Sequence, residues 1–189
     1  MSGEIIYRDE TKGDVEICRE LCDRLMQHQA ARTSNPLYCG ILGAMSFENR
    51  LRPAFSMAEE KQLIVAYDAG RPIGYVYTNA EIVTEEKFQE RPDWAQKLGE
   101  GTLGFYPEWL RLPAKIGDLN NLYVLPAYQG TGVGRELMKR AMLWLRQLKD
   151  AENLFVYVAD GNPVKGLFEK YGFRYSHDVF GGIIKAYYQ

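Results

Sequence analysis

Little in this sequence fits export, a membrane span or a disulfide-stapled fold. Three cysteines in 189 residues (Cys18, Cys22 and Cys39) are too few, and odd in number, for the framework of a small secreted domain. Cys18 and Cys22 lie four apart in a helical pattern and share a face. No second Cys or His pair completes a zinc set, so they read as reduced packing residues and no metal is expected. No apolar run approaches the roughly 18 residues of a membrane helix. The opening Met1-Ser-Gly-Glu-Ile-Ile-Tyr-Arg-Asp-Glu lacks the basic start and apolar core of a secretory leader, so a cytoplasmic location is expected. Charge of one sign is also missing. With 23 basic and 25 acidic residues, the net charge of -2 argues against a partner held by bulk charge, such as nucleic acid. Only 8 prolines beside 46% hydrophobic residues exclude a disordered or fibrous chain.

What is present is an alternation of short strands and helices with no repeat and no low-complexity linker. The length suits one domain spanning 1–189. Ile5 to Arg8 reads as a strand. Asp14 opens a helix in which Val15, Cys18, Leu21, Cys22 and Leu25 recur at helical spacing, to about His28. His28 is the kind of group that titrates near neutral pH, at an exposed helix end. Residues 31–57 suggest a second, broken helix that Arg52-Pro53 stops. Gln62 to Tyr67 and Ile73 to Thr78 form a hairpin around Asp68-Ala-Gly-Arg-Pro. Residues 82–115 are polar and punctuated, yet carry Trp94, Phe105, Tyr106 and Trp109. An ordered insertion or substrate loop with a short helix and aromatic anchors is expected there.

The second half is regular. Ile116 to Val124 is a strand, Leu125 to Gly132 a glycine-rich turn, and Val133 to Lys149 an amphipathic helix. Leu154 to Val158 is a continuous apolar strand, as expected when both faces are buried. A helix from about Asn162 to Tyr171, stopped by Gly172, precedes strands at Phe173–Tyr175 and Gly182–Tyr188. The aromatic-rich last strand suggests pairing across an interface, and hence a possible homodimer. The fold class is mixed α/β (α+β): a single-domain central sheet flanked by helices, with at least one right-handed crossover.

The segment Val124-Leu-Pro-Ala-Tyr-Gln-Gly-Thr-Gly-Val-Gly-Arg135 is the most informative. Gly130, Gly132 and Gly134 follow a strand and open a helix, so a ligand can approach the backbone. The first helix amides have no intrahelical partner and the macrodipole adds positive charge, which makes an anion cradle that Arg135 reinforces. The dinucleotide pattern G-x-G-x-x-G fails because the third glycine comes one residue early. The pattern G-x-x-x-x-G-K-[ST] is absent.

Val124-x-Pro126-x-x-Gln129-Gly130-x-Gly132-x-Gly134 resembles the coenzyme A loop of the GNAT superfamily of N-acetyltransferases. Asn162, followed by Leu167-Phe-Glu-Lys-Tyr-Gly-Phe173, is similar to the second signature of that family. The resemblance is strong over 116–175. It implies a GNAT-like fold whose mostly antiparallel sheet holds one splayed parallel pair, Ile116–Val124 with Leu154–Val158. It also implies acetyl-CoA as co-substrate and acetyl transfer to a primary amine by direct attack in a ternary complex. In this reading Leu122, Tyr123 and Val124 hold the pantetheine arm. The Leu122 amide donates to the thioester carbonyl. Gln129, Gly130, Thr131, Gly132, Val133, Gly134 and Arg135 hold the pyrophosphate. Asn162 contacts the far side of the arm, its other expected role being a helix N-cap before Pro163. Phe168 packs on the coenzyme.

Asp118 falls where some members of the family carry a glutamate base. Strand alternation puts it on one face with Leu122, with Asn120 between them able to order a water. Where the family often has a tyrosine after the leucine, this chain has Phe168, which cannot protonate the leaving thiolate. Tyr171 is the expected substitute, with Tyr157 behind it. The acceptor is expected opposite the coenzyme, near 29–57 and 82–115, where Glu81, Glu85 and Glu86 beside Tyr106 and Trp109 suit a small polyamine or aminoglycoside-like amine. A protein amine in an open groove is the other acceptor. The alternatives are a non-catalytic CoA-binding or regulatory module and a transferase of a longer acyl group.

Overall fold

The computed structural model describes residues 4–98 and 100–189. Its centre is the hairpin expected from the sequence, with strands β2 (Lys61–Asp68) and β3 (Arg71–Val83). Ala69 and Gly70 both take positive φ between them, the geometry of a two-residue turn whose twist matches the flanking strands. β1 (Ile6–Asp9) pairs outside β2, while β4 (Ala114–Val124), β5 (Ala151–Ala159), β6 (Arg174–Val179) and β7 (Ile184–Tyr188) complete a seven-stranded sheet. The order is β1-β2-β3-β4-β5-β7-β6, antiparallel except for the parallel pair β4–β5. β7 is therefore interior and bonded on both sides. Its backbone has no free edge to pair across an interface, contrary to the sequence expectation.

One face of the sheet carries α5 (Val133–Leu145). Its Val133, Leu137, Met138, Ala141, Met142 and Leu145 recur at three- and four-residue spacing and are buried. The helix stops four residues before the expected Lys149, because Gln147 and Leu148 tighten into turns of three-residue spacing ahead of Asp150. The other face carries α1 (Arg19–Ala30), α2 (Pro36–Gly43) and α3 (Leu51–Met57). Asp14 caps a preceding 3-10 turn by accepting from the Glu16 amide at 2.9 Å. Cys18 and Cys22 are buried free thiols in this layer, and burial pushes both thiols up. Arg52-Pro53 does not stop a helix but lies in the first turn of α3, where a proline sacrifices no intrahelical hydrogen bond. Residues 82–115 form α4 (Glu85–Gln89), a 3-10 turn at Asp93–Leu98 and an aromatic clasp. Trp94 and Phe105 meet Phe180 edge-on, with ring centroids 5.2 and 5.0 Å away. The last helix, α6 (Lys165–Lys170), starts three residues later than expected.

β4 departs once from simple alternation. Thr78 pairs with Leu119 and Tyr77 with Asn121, so Asn120 is an extra residue opposite no partner of its own. Before this bulge, Gly117 faces Leu145 and Leu148 on the α5 side, and Asp118 therefore faces α1–α3. After it, Leu122 pairs with Val76 on the α5 side. Asp118 and Leu122 thus stand on opposite faces, not the same face that uninterrupted alternation predicts.

β3 also presses on β4 beyond the bulge. A Cβ at Gly74 would come within 2.9 Å of the Tyr123 carbonyl oxygen and 3.3 Å of the Val124 Cα. Backbone cannot step aside as a side-chain tip can. Gly74→Ala should therefore cost about 1–3 kcal/mol, a fall in Tm of roughly 2–12 °C by calorimetry. An unchanged Tm would refute the tight β3–β4 packing.

Candidate active site

The parallel ladder between β4 and β5 runs only from Lys115–Ala151 to Leu119–Val156. Both strands continue, β4 to Val124 and β5 to Ala159, but no longer pair with each other. Asn120 to Val124 therefore border an open wedge with one side of their backbone unpaired. Leu122 is half-buried there, whereas Tyr123 and Val124 are buried. The Tyr123 ring meets His28 edge-on at 6.3 Å, and His28 itself accepts from Arg32 Nε at 2.8 Å. Burial holds the His28 imidazole below its usual range, and Arg32 acts in the same direction.

Past the wedge the glycine loop turns into α5. Gly132 caps the helix with φ 99°, a left-handed conformation that favours glycine, and no side chain caps its first amides. A Cβ at Gly130 or Gly132 would meet nothing within 4 Å, so that side of the loop is open. Gln129 Nε2 donates to the Val124 carbonyl at 2.9 Å and Thr131 Oγ1 to the Tyr128 carbonyl at 2.6 Å, bonds that hold the loop's shape from within. Val133 is its buried anchor, and Arg135 is exposed. On the other side of the wedge, Asn162 caps no helix, since α6 begins at Lys165 after a Val164 cap. Its Oδ1 is buried with no hydrogen-bond partner among the described residues.

A cavity of about 1160 Å³ opens on the α1–α3 side of the sheet. Segments 29–57 and 82–115, near which the acceptor is expected, both contribute to its walls. Asp118, Asn120 and Asn121 line it from β4, and Asn79 and Glu81 from β3. Asp118 is 7% exposed. Its Oδ2 accepts from Asn120 Nδ2 at 3.3 Å, and its Oδ1 has no partner among the described residues. Burial pushes its carboxyl up to about 7, and Glu81 acts in the same direction; Arg50, Lys87 and the Asn120 amide oppose the rise. Glu81 is itself engaged, paired with Lys87 and accepting from the Tyr106 hydroxyl at 2.8 Å. The Tyr106 and Tyr157 hydroxyls are both raised by burial, and Tyr157 donates to the Phe105 carbonyl at 3.1 Å.

The remaining expected residues lie elsewhere. Phe168 is 5% exposed and packs edge-on against Phe173 at 6.1 Å, a core contact that leaves little of the ring for a ligand. Tyr171 caps α6 and is half-buried, and its carbonyl accepts from Gln189 Nε2 at 3.0 Å. Trp109 stacks on Phe155 and does not line the cavity. Glu85 and Glu86 sit in the first turn of α4, outside the lining residues. Sequence reasoning missed Arg50, Asn79, Lys87 and Asn121. Continuing the alternation Tyr75, Tyr77 past the expected end of β3 would have found Asn79.

The raised carboxyl has a consequence for stability. The folded protein holds the Asp118 proton more tightly than the unfolded chain, whose carboxyl titrates near 3.9. Stability therefore falls as pH rises from about 4 to about 7, and the cost stays in place above that. Asp118→Asn should raise stability at pH 8 by roughly 2–4 kcal/mol relative to its effect at pH 4. Paired thermal melts at the two pH values check this, and an equal effect at both would contradict it.

No curated protein matches the chain in sequence. Solved structures match its fold at low identity. The PaiA N-acetyltransferase of Thermoplasma acidophilum, in complex with coenzyme A, aligns with a TM-score of 0.61 and 16% identity over 99% of each chain. An acetyltransferase of the GNAT family from Streptococcus pneumoniae gives 0.57 and 18% over 98% of this chain and 99% of that one. NAA60 of Arabidopsis thaliana, in complex with a bisubstrate analogue, gives 0.52 and 14% over 98% and 95%. The acetyltransferase (GNAT) family model matches residues 27–173, from the end of α1 through the wedge, the glycine loop and α6. With most of its length inside that match, the chain belongs to the GNAT acetyltransferase family.

Proposed function

We propose that this protein transfers the acetyl group of acetyl-CoA to a primary amine by direct attack in a ternary complex. In this reading residues 1–189 act as one domain in the cytoplasm, with 82–115 as a substrate loop. The observation that carries it is Asp118, a buried carboxylate with an unpartnered oxygen, placed where the β4–β5 ladder ends and facing the cavity.

The residues around the wedge fit the coenzyme. The unpaired backbone of Leu122 to Val124 suits the amides of a pantetheine arm as an added strand would. The uncapped amides from Gly130 to Arg135 suit a pyrophosphate. The orphaned Asn162 Oδ1 is a buried acceptor whose unmet bond costs about 1–3 kcal/mol, and an amide N–H of the arm would satisfy it. The coenzyme supplies the acetyl thioester. The chain's own part is to donate the Leu122 amide to its carbonyl, stabilising charge that develops on attack.

On the cavity side, Asp118 Oδ1, Asn120 Oδ1 and Asn121 Oδ1 are all buried acceptors without partners among the described residues. A primary ammonium has donors for such a set. Asp118 takes a proton from the nitrogen. The nitrogen lone pair then forms the N–C bond, the C–S bond breaks with its electron pair leaving on sulfur, and the second nitrogen proton passes to solvent. A carboxyl near 7 is matched to that task at neutral pH. We assign the proton returned to sulfur to Tyr171, since the Tyr157 hydroxyl is engaged with Phe105 and Phe168 has none to give.

Thiol release from acetyl-CoA with a panel of primary amines tests this reading. kcat/KM should rise with pH through a limb near 7. Asp118→Asn should lower it about 10²–10⁴-fold and remove that limb, and Tyr171→Phe should lower kcat with KM unchanged. An Asp118→Asn enzyme with the wild-type profile would overturn the assignment.

A further inference from the structure

The charges around the cavity are unevenly matched. Glu81 is neutralised by Lys87, and Lys115 Nζ lies 2.6 Å from Glu60. Two of the carboxylates that would attract a polycation are thus already paired, which weakens the polyamine expectation. Arg50, at the N-cap of α3, also lines the cavity. Its half-buried guanidinium makes no hydrogen bond or ion pair with any described residue, yet it lies close enough to Asp118 to lower that carboxyl's proton affinity. A guanidinium presents five donors in a planar fork whose natural occupant is a carboxylate held by two bonds.

Gln29, Asn49, Glu59 and Lys97 add further polar lining, and beside them the cavity has an extended apolar part. Met26, Ile41, Leu42 and Met45 form one wall, and Leu37 and Met57 line it while remaining 45% and 82% exposed. Large apolar side chains left uncovered at a cavity mouth suit a ligand with an apolar body.

We infer that the acceptor is an amine bearing its own carboxylate and an apolar body, an amino acid or close analogue, with Arg50 binding the carboxylate. This rests on the acetyl-transfer reading of the same cavity. Asp118 and the two asparagine oxygens receive the amine end, Arg50 the anionic end, and the Met–Ile–Leu wall the side chain. Arg50 is then the specificity-determining residue that separates amino acids from simple amines.

The test uses the full chain saturated with CoA. Binding of L-leucine, L-methionine and L-phenylalanine is measured by calorimetry beside their amides, the decarboxylated amines and a tripeptide with a free N-terminus. Acetyl transfer to each is followed in separate assays with acetyl-CoA in place of CoA. The free amino acids should bind and react at least tenfold better than their amides, the scale of one charge-assisted contact. Arg50→Gln should bring the acid-to-amide ratio to about one, and Arg50→Lys should keep part of the preference. The inference is overturned if the amides or the tripeptide match the acids, if no acid binds, or if Arg50→Gln lowers acids and amides by the same factor. A protein that fails to bind CoA at all instead removes the acetyl-transfer reading itself.

Discussion

One extra residue in β4 shapes the site. Asn120 has no cross-strand partner, and directly before it the parallel ladder with β5 ends at Leu119–Val156. An unbroken ladder would consume the backbone of Asn120 to Val124 and close the wedge. The bulge also reverses which face each side chain meets, so that Asp118 looks into the α1–α3 cavity while Leu122 looks toward α5. A coenzyme at the glycine loop and an acceptor in the cavity would meet through the sheet at this irregularity. Bulges near active sites re-aim side chains in this way.

The site carries a cost for the fold. Oxygens of Asp118, Asn120, Asn121 and Asn162 are buried with no partner among the described residues, as are oxygens of Gln62, Tyr75, Thr78 and Gln189. Burial opposes the charge on Asp118, and Glu81 adds to the opposition. Such unmet bonds lower stability, and ligands can satisfy them. The aromatic clasp of Trp94, Phe105 and Phe180 and the close packing of α5 on β4 at Gly117 brace the surrounding structure.

The features legible from the sequence are those fixed by local backbone rules. The glycine loop, the hairpin at Ala69-Gly70 and α5 follow from glycine spacing, turn residues and periodicity, whereas the splayed pair was implied only by the family resemblance. Asp118 was legible as a chemical group, but its face was not, because period-two alternation has no way to register a bulge. Arg50 and Lys87 come from 31–57 and 82–115, where no periodicity marks an inward side, so only tertiary packing brings them to the cavity. The helix expected at Asn162 starts at Lys165, which left the Asn162 oxygen uncapped and buried. The last strand looked like an edge in sequence order and became interior by inserting between β5 and β6.

Binding of acetyl-CoA at the wedge and glycine loop is tested most directly by the melting temperature of the protein with that molecule at saturation. At about 100 times the dissociation constant, binding adds roughly 2.7 kcal/mol, a rise of about 5–10 °C for a chain of this size. A rise of that order, absent with ATP or NAD, is the predicted result. No shift with either acetyl-CoA or CoA would contradict the account and leave the glycine loop as a structural turn.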